Sequence, residues 1–492
     1  MRAMTSRKWV KVAVPFLTLA LVAAACGGDD DDATDATTAE GTSAGTEAPE
    51  ATDAPEATDA PEATTAETDA PDATEPEEVP EEILTDFGVT DDTIRIGLNA
   101  DLSGIFANLV TQIVDAQEAY WEIVNDNGGI AGRMVELVTL DSAYDVPKHL
   151  ENYETMSAES GDQSVLMFSQ STGSPHTAAT ADALVEDNLL AIPLSWYSGW
   201  ADPAIGENVL ELYTNYCMES INGLTYLAGA HEASTVAIVG FPGDYGQDGA
   251  AGAKIAAEAL GLEVVYDGEA AVVPGSDQTP VITELVAAQP DLVWATTNPS
   301  TFAEIFGGAY AQGLRAQWSG KSPTYSFQLL ATDLGPIVDE LYTHSTYTQL
   351  WNSDDSPGMT EMVAGMREKD PDAPVSDVYI IGWTEGYATQ QVLEQAAANG
   401  DMTRAGVVAA AKQEGLEIDF KGLSPNQTYS GDPGGYIVRQ SYLYDVDSSK
   451  YTPDGTVSDE DAGTGFTLLE GPFVSDTAAN YDFQAPCWLA DS

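Results

Sequence analysis

One stretch constrains the architecture more than any other, the run from Thr93 to Asp145: TIRIGLNADLSGIFANLVTQIVDAQEAYWEIVNDNGGIAGRMVELVTLDSAYD. Ile94, Ile96 and Leu98 alternate as in a strand, and Asp101-Leu-Ser-Gly104 breaks the run as a strand-end loop. Asn108 is expected to cap a helix whose apolar face is Leu109, Val110, Ile113, Val114, Tyr120, Trp121 and Val124. Asn127-Gly128-Gly129 stops that helix with a glycine where a left-handed conformation is needed. Met134 to Val138 is the next strand. Two strands joined by a helix must run parallel with a right-handed crossover.

The alternation continues. Ser164–Phe168 and Leu189–Pro193 read as buried strands, followed by a helix near Tyr213–Ala230. A second series has strands at Thr235–Gly240, Leu262–Val265 and Leu292–Thr296. Its helices fall at Gln247–Leu260, Val281–Gln289 and Thr301–Gly313. Two later helices, Ala388–Ala398 and Arg404–Glu414, are expected to return to the first part. Repeated β/α units argue α/β with parallel sheets, and about 410 residues are too long for one simple domain and about right for two lobes, which are expected to be Rossmann-like.

The segment before Ile83 has a different character. Arg2, Arg7, Lys8 and Lys11 precede an apolar run from Val12 to Ala25 that is short for a membrane span, so residues 1–25 read as a secretory signal. Ala23-Ala24-Ala25-Cys26 looks like a bacterial lipobox, which would make Cys26 a lipidated first residue; plain cleavage at the A-x-A pattern is the alternative. Acyl chains on Cys26 would anchor the chain to the outer face of the cell membrane. Residues 26–82 hold twenty acids and no base, with A-P-E-A-T-D repeated from Ala48 and Ala54. With almost nothing to bury, they are expected to form a disordered acidic tether, with a reach of roughly 150 Å at full extension.

The rest of the chain carries sixty acids against thirteen bases. Nucleic acid and anionic surfaces are poor partners for such a body. A heavily acidic surface stays hydrated at high salt, which points to a saline habitat. Cys217 and Cys487 remain once Cys26 is set aside; in an oxidising exterior they either pair or stay as separate thiols.

Enzyme signatures are missing. The four histidines, His149, His176, His231 and His344, form no H-E-x-x-H, and there is no C-x-x-C, so neither metal nor cofactor is expected. Gly173-Ser174-Pro175-His176 lacks the G-x-S-x-G elbow. Gly243-Asp-Tyr-Gly246-Gln-Asp-Gly249 is a strand-to-helix turn without the spacing of a phosphate loop. No catalytic residue is assigned.

The opening unit, with Asn125, Gly128, Gly129, Ile130, Gly132, Asp141 and Asp145, resembles the start of the periplasmic-binding proteins of the leucine/isoleucine/valine type; Asp101 stands where that family often has proline. The resemblance covers about residues 92–450. It implies a type I periplasmic-binding fold with a hinge and an interlobe cleft. Lobe 1 would take about 92–213 and 346–423, and lobe 2 about 214–345 and 424–450, leaving 451–492 as a C-terminal extension over an edge. Ligand groups would sit at the carboxyl ends of the strands. The family's carboxylate loop falls on Ser171 and Thr172, a second loop on Ser195 and Tyr197, and Trp196 offers an apolar wall. In the second lobe the resemblance points to Tyr245, closing over the ligand, and to Asn298; helix capping and loop packing are the plain alternatives for all of these. The glutamate that pairs the ammonium of amino acids is missing after Gly313-Leu314-Arg315-Ala316-Gln317, where Lys321 and Ser322 stand. A buried ammonium without a carboxylate is costly. The expected ligand is therefore an amide or organic acid, or a branched-chain amino acid if Asp244 substitutes. The implied role is capture by hinge closure and delivery to an ABC permease by a monomer held through lipid alone. The rival is a sensing or adhesive surface lipoprotein of the same fold.

Overall fold

The computed structural model describes residues 82–431, 437–483 and 486–489. The signal segment, Cys26 and the acidic repeat lie outside them.

The first parallel sheet has the order β3-β2-β4-β5, built from β2 (Thr93–Ala100), β3 (Met134–Asp141), β4 (Met167–Thr172) and β5 (Ala191–Leu194). A short strand β1 (Leu84–Thr85) precedes it and pairs elsewhere. β2 and β3 run in unbroken parallel register from Thr93 opposite Met134 to Ala100 opposite Asp141. Helices α1 (Ala107–Asp126), α2 (Val146–Ser157) and α3 (Ser174–Glu186) connect these strands. Asn108 is not the cap of α1. Phe106 holds that position without a side-chain bond, and buried Asp101 instead accepts the N–H groups of Gly104 and Phe106, at 2.5 and 2.9 Å. The Asp101 carboxylate thus fixes the loop that leads into α1, and the helix itself has no side-chain cap.

The second sheet repeats the order as β7-β6-β8-β9, from β6 (Thr235–Gly240), β7 (Glu263–Gly268), β8 (Leu292–Thr296) and β9 (Gln317–Gly320). Its helices are α4 (Tyr216–Ala230), α5 (Asp244–Leu260), α6 (Thr279–Ala288) and α7 (Pro299–Ala311). In both sheets the second strand in space is the first in the chain, flanked by neighbours reached in opposite directions. That reversal opens a crevice at the carboxyl ends.

The chain then passes through α8 (Gly335–Leu341) and β10 (Thr343–Thr346) before returning to the first sheet's flank as α9 (Pro357–Lys369), α10 (Tyr379–Ala398), β11 (Asp401–Met402) and α11 (Arg404–Ala411). β1 pairs in parallel with β11. α10 lies on α1 so closely that a Cβ on Gly382 would stand 2.2 Å from the Ile113 carbonyl oxygen. A third sheet, antiparallel and ordered β10-β12-β13, uses β12 (Ser441–Tyr451) and β13 (Thr464–Phe473). The residues beyond 450 thus begin inside a strand of this sheet. The last described residues come back to α4, where Cys487 forms a disulfide with Cys217, Cα atoms 6.3 Å apart. No helix among the described residues is long and apolar enough to cross a membrane.

Candidate functional site

The carboxyl ends of both sheets face a common cavity. α1 supplies Phe106, Leu109, Val110 and Ile113 to its wall, which is two helical turns, or about 10 Å of length. Leu194, Trp196, Tyr216 and Tyr245 also line it, as do Val378 and Ile381 at the start of α10. Trp196 stacks on Tyr347 with centroids 4.2 Å apart, and Tyr216 packs on Tyr245 at 4.8 Å. The wall is thus mainly aromatic and aliphatic, with polar groups in few places.

One polar place is the turn from β4 to α3. β4 runs further than the sequence indicated: Ser169 to Thr172 belong to the strand, and Gly173 alone makes the turn, at φ 99°. A bulge after Gly97 shifts the pairing so that Leu98 faces Gln170. Gln170 Nε2 donates to Thr172 Oγ1 at 2.9 Å, which leaves the Thr172 proton for a partner in the cavity. Ser174, first residue of α3, also lines the cavity and shares a 2.6 Å hydrogen bond with Ser195. A helix N-terminus with hydroxyls beside it favours a carboxylate.

Of the residues singled out in the sequence, Thr172, Trp196 and Tyr245 line this cavity. Ser171 points the other way, with its hydroxyl on Thr177 at 2.9 Å and near His149. Ser195 lies behind the wall, holding Ser174 and accepting Trp200 Nε1 at 3.0 Å. Tyr197 packs edge-on against Trp200. Asn298 caps α7 by accepting Thr301 N–H, and its Nδ2 donates to the Ile105 carbonyl of the opposite lobe at 2.9 Å. Tyr245 opens α5 and donates its hydroxyl to the Thr297 carbonyl at 2.7 Å. Burial holds that phenol well above its ordinary range, so it is neutral.

A second bridge joins the lobes. Asp248 on α5 accepts both the N–H and the hydroxyl of Ser198, at 3.0 and 2.6 Å, and Cys487 N–H donates to the same hydroxyl. Burial raises Asp248 to about 6. With Asn298 on Ile105 and Phe106 edge-on to Tyr245, these contacts describe closed lobes.

Lys321, which stands where amino-acid binders carry glutamate, does not reach the cavity. It is fully buried behind the wall, bonded to the Tyr216 carbonyl and 3.3 Å from Glu219. Asp244 is half-buried and is not on the cavity wall either. The wall residues that sequence reasoning missed include the α1 face and Tyr216, Tyr325, His344, Tyr347 and Asp377. The α1 face had been read as core, and no local pattern separates a helix face packed on protein from one that faces a cavity. Among the described residues no cluster of His, Cys, Asp and Glu is placed to hold a metal ion.

Two packed parallel sheets with a shared crevice define a two-lobed α/β binding protein. The periplasmic binding protein family matches residues 93–452, and the chain belongs to that family. Solved structures agree. A fatty acid ABC transporter substrate-binding protein from Thermomonospora curvata is 28% identical, covers 82% of this chain and 97% of its own, and superposes with a TM-score of 0.70. A branched chain amino acid ABC transporter protein from Thermus thermophilus with bound valine is 18% identical, covers 79% and 98%, and has a TM-score of 0.64. A leucine binding protein from Thermotoga maritima is 14% identical, covers 77% and 98%, and has a TM-score of 0.61. The last two establish the fold alone. Curated proteins give no match.

Proposed function

We propose that this protein is the solute-binding component of an ABC importer that captures elongated amphipathic carboxylic acids of the fatty-acid type. The observation that carries this reading is the cavity's lining: an apolar wall that includes two turns of α1, together with the hydroxyls of Thr172 and Ser174 at the α3 N-terminus. An aliphatic chain on that wall gains roughly 0.8 kcal/mol for each buried methylene, and its carboxylate meets the first turn of α3. An amino acid would find no carboxylate at Lys321 for its ammonium. The name of the Thermomonospora curvata protein points the same way. Cys26 would carry the lipid anchor, the acidic repeat would serve as tether, and the monomer would hand its ligand to a permease after hinge closure. The protein is a binder and not an enzyme.

The test is thermal unfolding of delipidated protein in high salt against fatty acids of graded length, beside leucine, valine and their amides. A ligand at about a thousand times its Kd should stabilise by roughly 4 kcal/mol. A shift with leucine or valine and none with any fatty acid would overturn the assignment. A protein that binds none of the panel would favour the adhesive reading.

A further inference from the structure

The same cavity holds a second group of polar side chains, from elements other than the β4–α3 turn. Tyr325 (3% exposed), His344 (5%) and Asp377 (9%) all line it, and all are more than nine-tenths buried. They come from different parts of the chain: Tyr325 follows β9, His344 sits in β10, and Asp377 precedes α10. The rings of Tyr325 and His344 are 5.4 Å apart, and Phe466 stacks on His344 at 5.2 Å. Asp377 is close enough that its charge adds to burial in pushing the Tyr325 phenol well up.

These groups are incompletely partnered. The Tyr325 hydroxyl and His344 Nδ1 are buried without a hydrogen bond. Asp377 accepts Thr464 Oγ1 at 2.6 Å and Trp351 N–H at 3.1 Å, both on Oδ1. Two unpartnered polar groups in an aromatic chamber are costly unless something meets them. Burial holds His344 neutral, down at about 3, and raises Asp377 to about 7. A neutral imidazole, a phenol and a carboxyl that shares its proton together offer both donors and acceptors. A hydroxyl, which donates once and accepts twice, fits that set. A second carboxylate would face Asp377, and an ammonium would find one weak acceptor charge among neutral groups.

We propose that Tyr325, His344 and Asp377 form a subsite for a second, uncharged polar head, so that the ligand is a hydroxylated carboxylic acid with a hydroxyl at the end remote from its carboxylate. This rests on the fatty-acid reading above and narrows it.

The experiment is calorimetric titration of the full chain with simple fatty acids and with the ω-hydroxy acids of the same chain lengths. At the length that spans the cavity, the ω-hydroxy acid should bind about tenfold tighter or more than its parent, the equivalent of one filled hydrogen-bond site. In Tyr325→Phe and His344→Phe, which keep the rings and remove the polar atoms, that ratio should fall towards one. Circular dichroism of both variants checks folding. Simple acids binding as tightly as ω-hydroxy acids at every length would overturn the subsite and leave the fatty-acid reading standing. Preference for a dicarboxylic acid would also overturn it. If no acid of either series binds, the fatty-acid reading fails and takes this inference with it.

Discussion

Asp377 is the residue at which charge, burial and ligand meet. Its carboxyl is raised by burial to about 7 from an ordinary 3.8. Between those two values the unfolded chain has lost its proton while the folded chain keeps it, so the folded state loses stability as pH rises through that window and carries the full cost above it. Asp377→Asn has no proton to lose and keeps an acceptor for Thr464 and Trp351. Its unliganded stability should exceed that of the parent by about 1–3 kcal/mol near pH 8, with the gain vanishing towards pH 4, as read by urea unfolding at the two pH values. Legibility at this scale was uneven. Thr172, Trp196 and Tyr245 could be picked out because each lies at or beyond the carboxyl end of a strand, and strand ends in parallel sheets face the crevice. Ser171 could not be told from Thr172, since adjacent strand residues face opposite ways and the bulge beyond Gly97 sets the phase. Asp377 and His344 belong to no strand-end motif and reach the cavity only through tertiary packing.

At the scale of elements, α1 and α10 set the floor of the cavity, and their closeness depends on Gly382. Gly382→Ala would drive a methyl group to 2.2 Å from the Ile113 carbonyl oxygen, so the helices must separate. The expected cost is about 1–3 kcal/mol in chemical denaturation, with weaker ligand binding because Ile113 and Ile381 both line the site. Strands β6 and β8 end where the sequence places them, because a run of apolar β-formers flanked by breakers leaves little choice. α10 begins nine residues earlier than its periodicity indicates. From Tyr379 to Thr389 it is buried on every side, so it has no polar face and hence no helical pattern to read. β12 and β13 escaped for another reason. They form an antiparallel pair outside the β/α alternation, joined through bulges that blur their period.

At the scale of the molecule, the third sheet and the C-terminal residues tie the lobes into one piece. Cys487 joins α4 through its disulfide and touches Ser198 of the other lobe through its N–H. Reduction, or Cys217→Ser with Cys487→Ser, should lower stability by about 2–5 kcal/mol, seen as a shift of the denaturation midpoint between oxidised and reduced protein. The two-lobed α/β architecture was legible because β/α alternation is a long, redundant signal. The course of the residues after 450 was not, since nothing in a strand's own sequence names its partner across hundreds of positions.

The separation of 270 residues between Cys217 and Cys487 also dictates an order of events. A polypeptide delivered from its beginning presents the first of these thiols long before the second exists on the same side of the membrane. Until the final stretch arrives, Cys217 is a lone nucleophile in an oxidising space, open to the wrong partner. Closure of this bond therefore waits on the segment that carries Cys487, which seals a molecule whose two lobes are already in place.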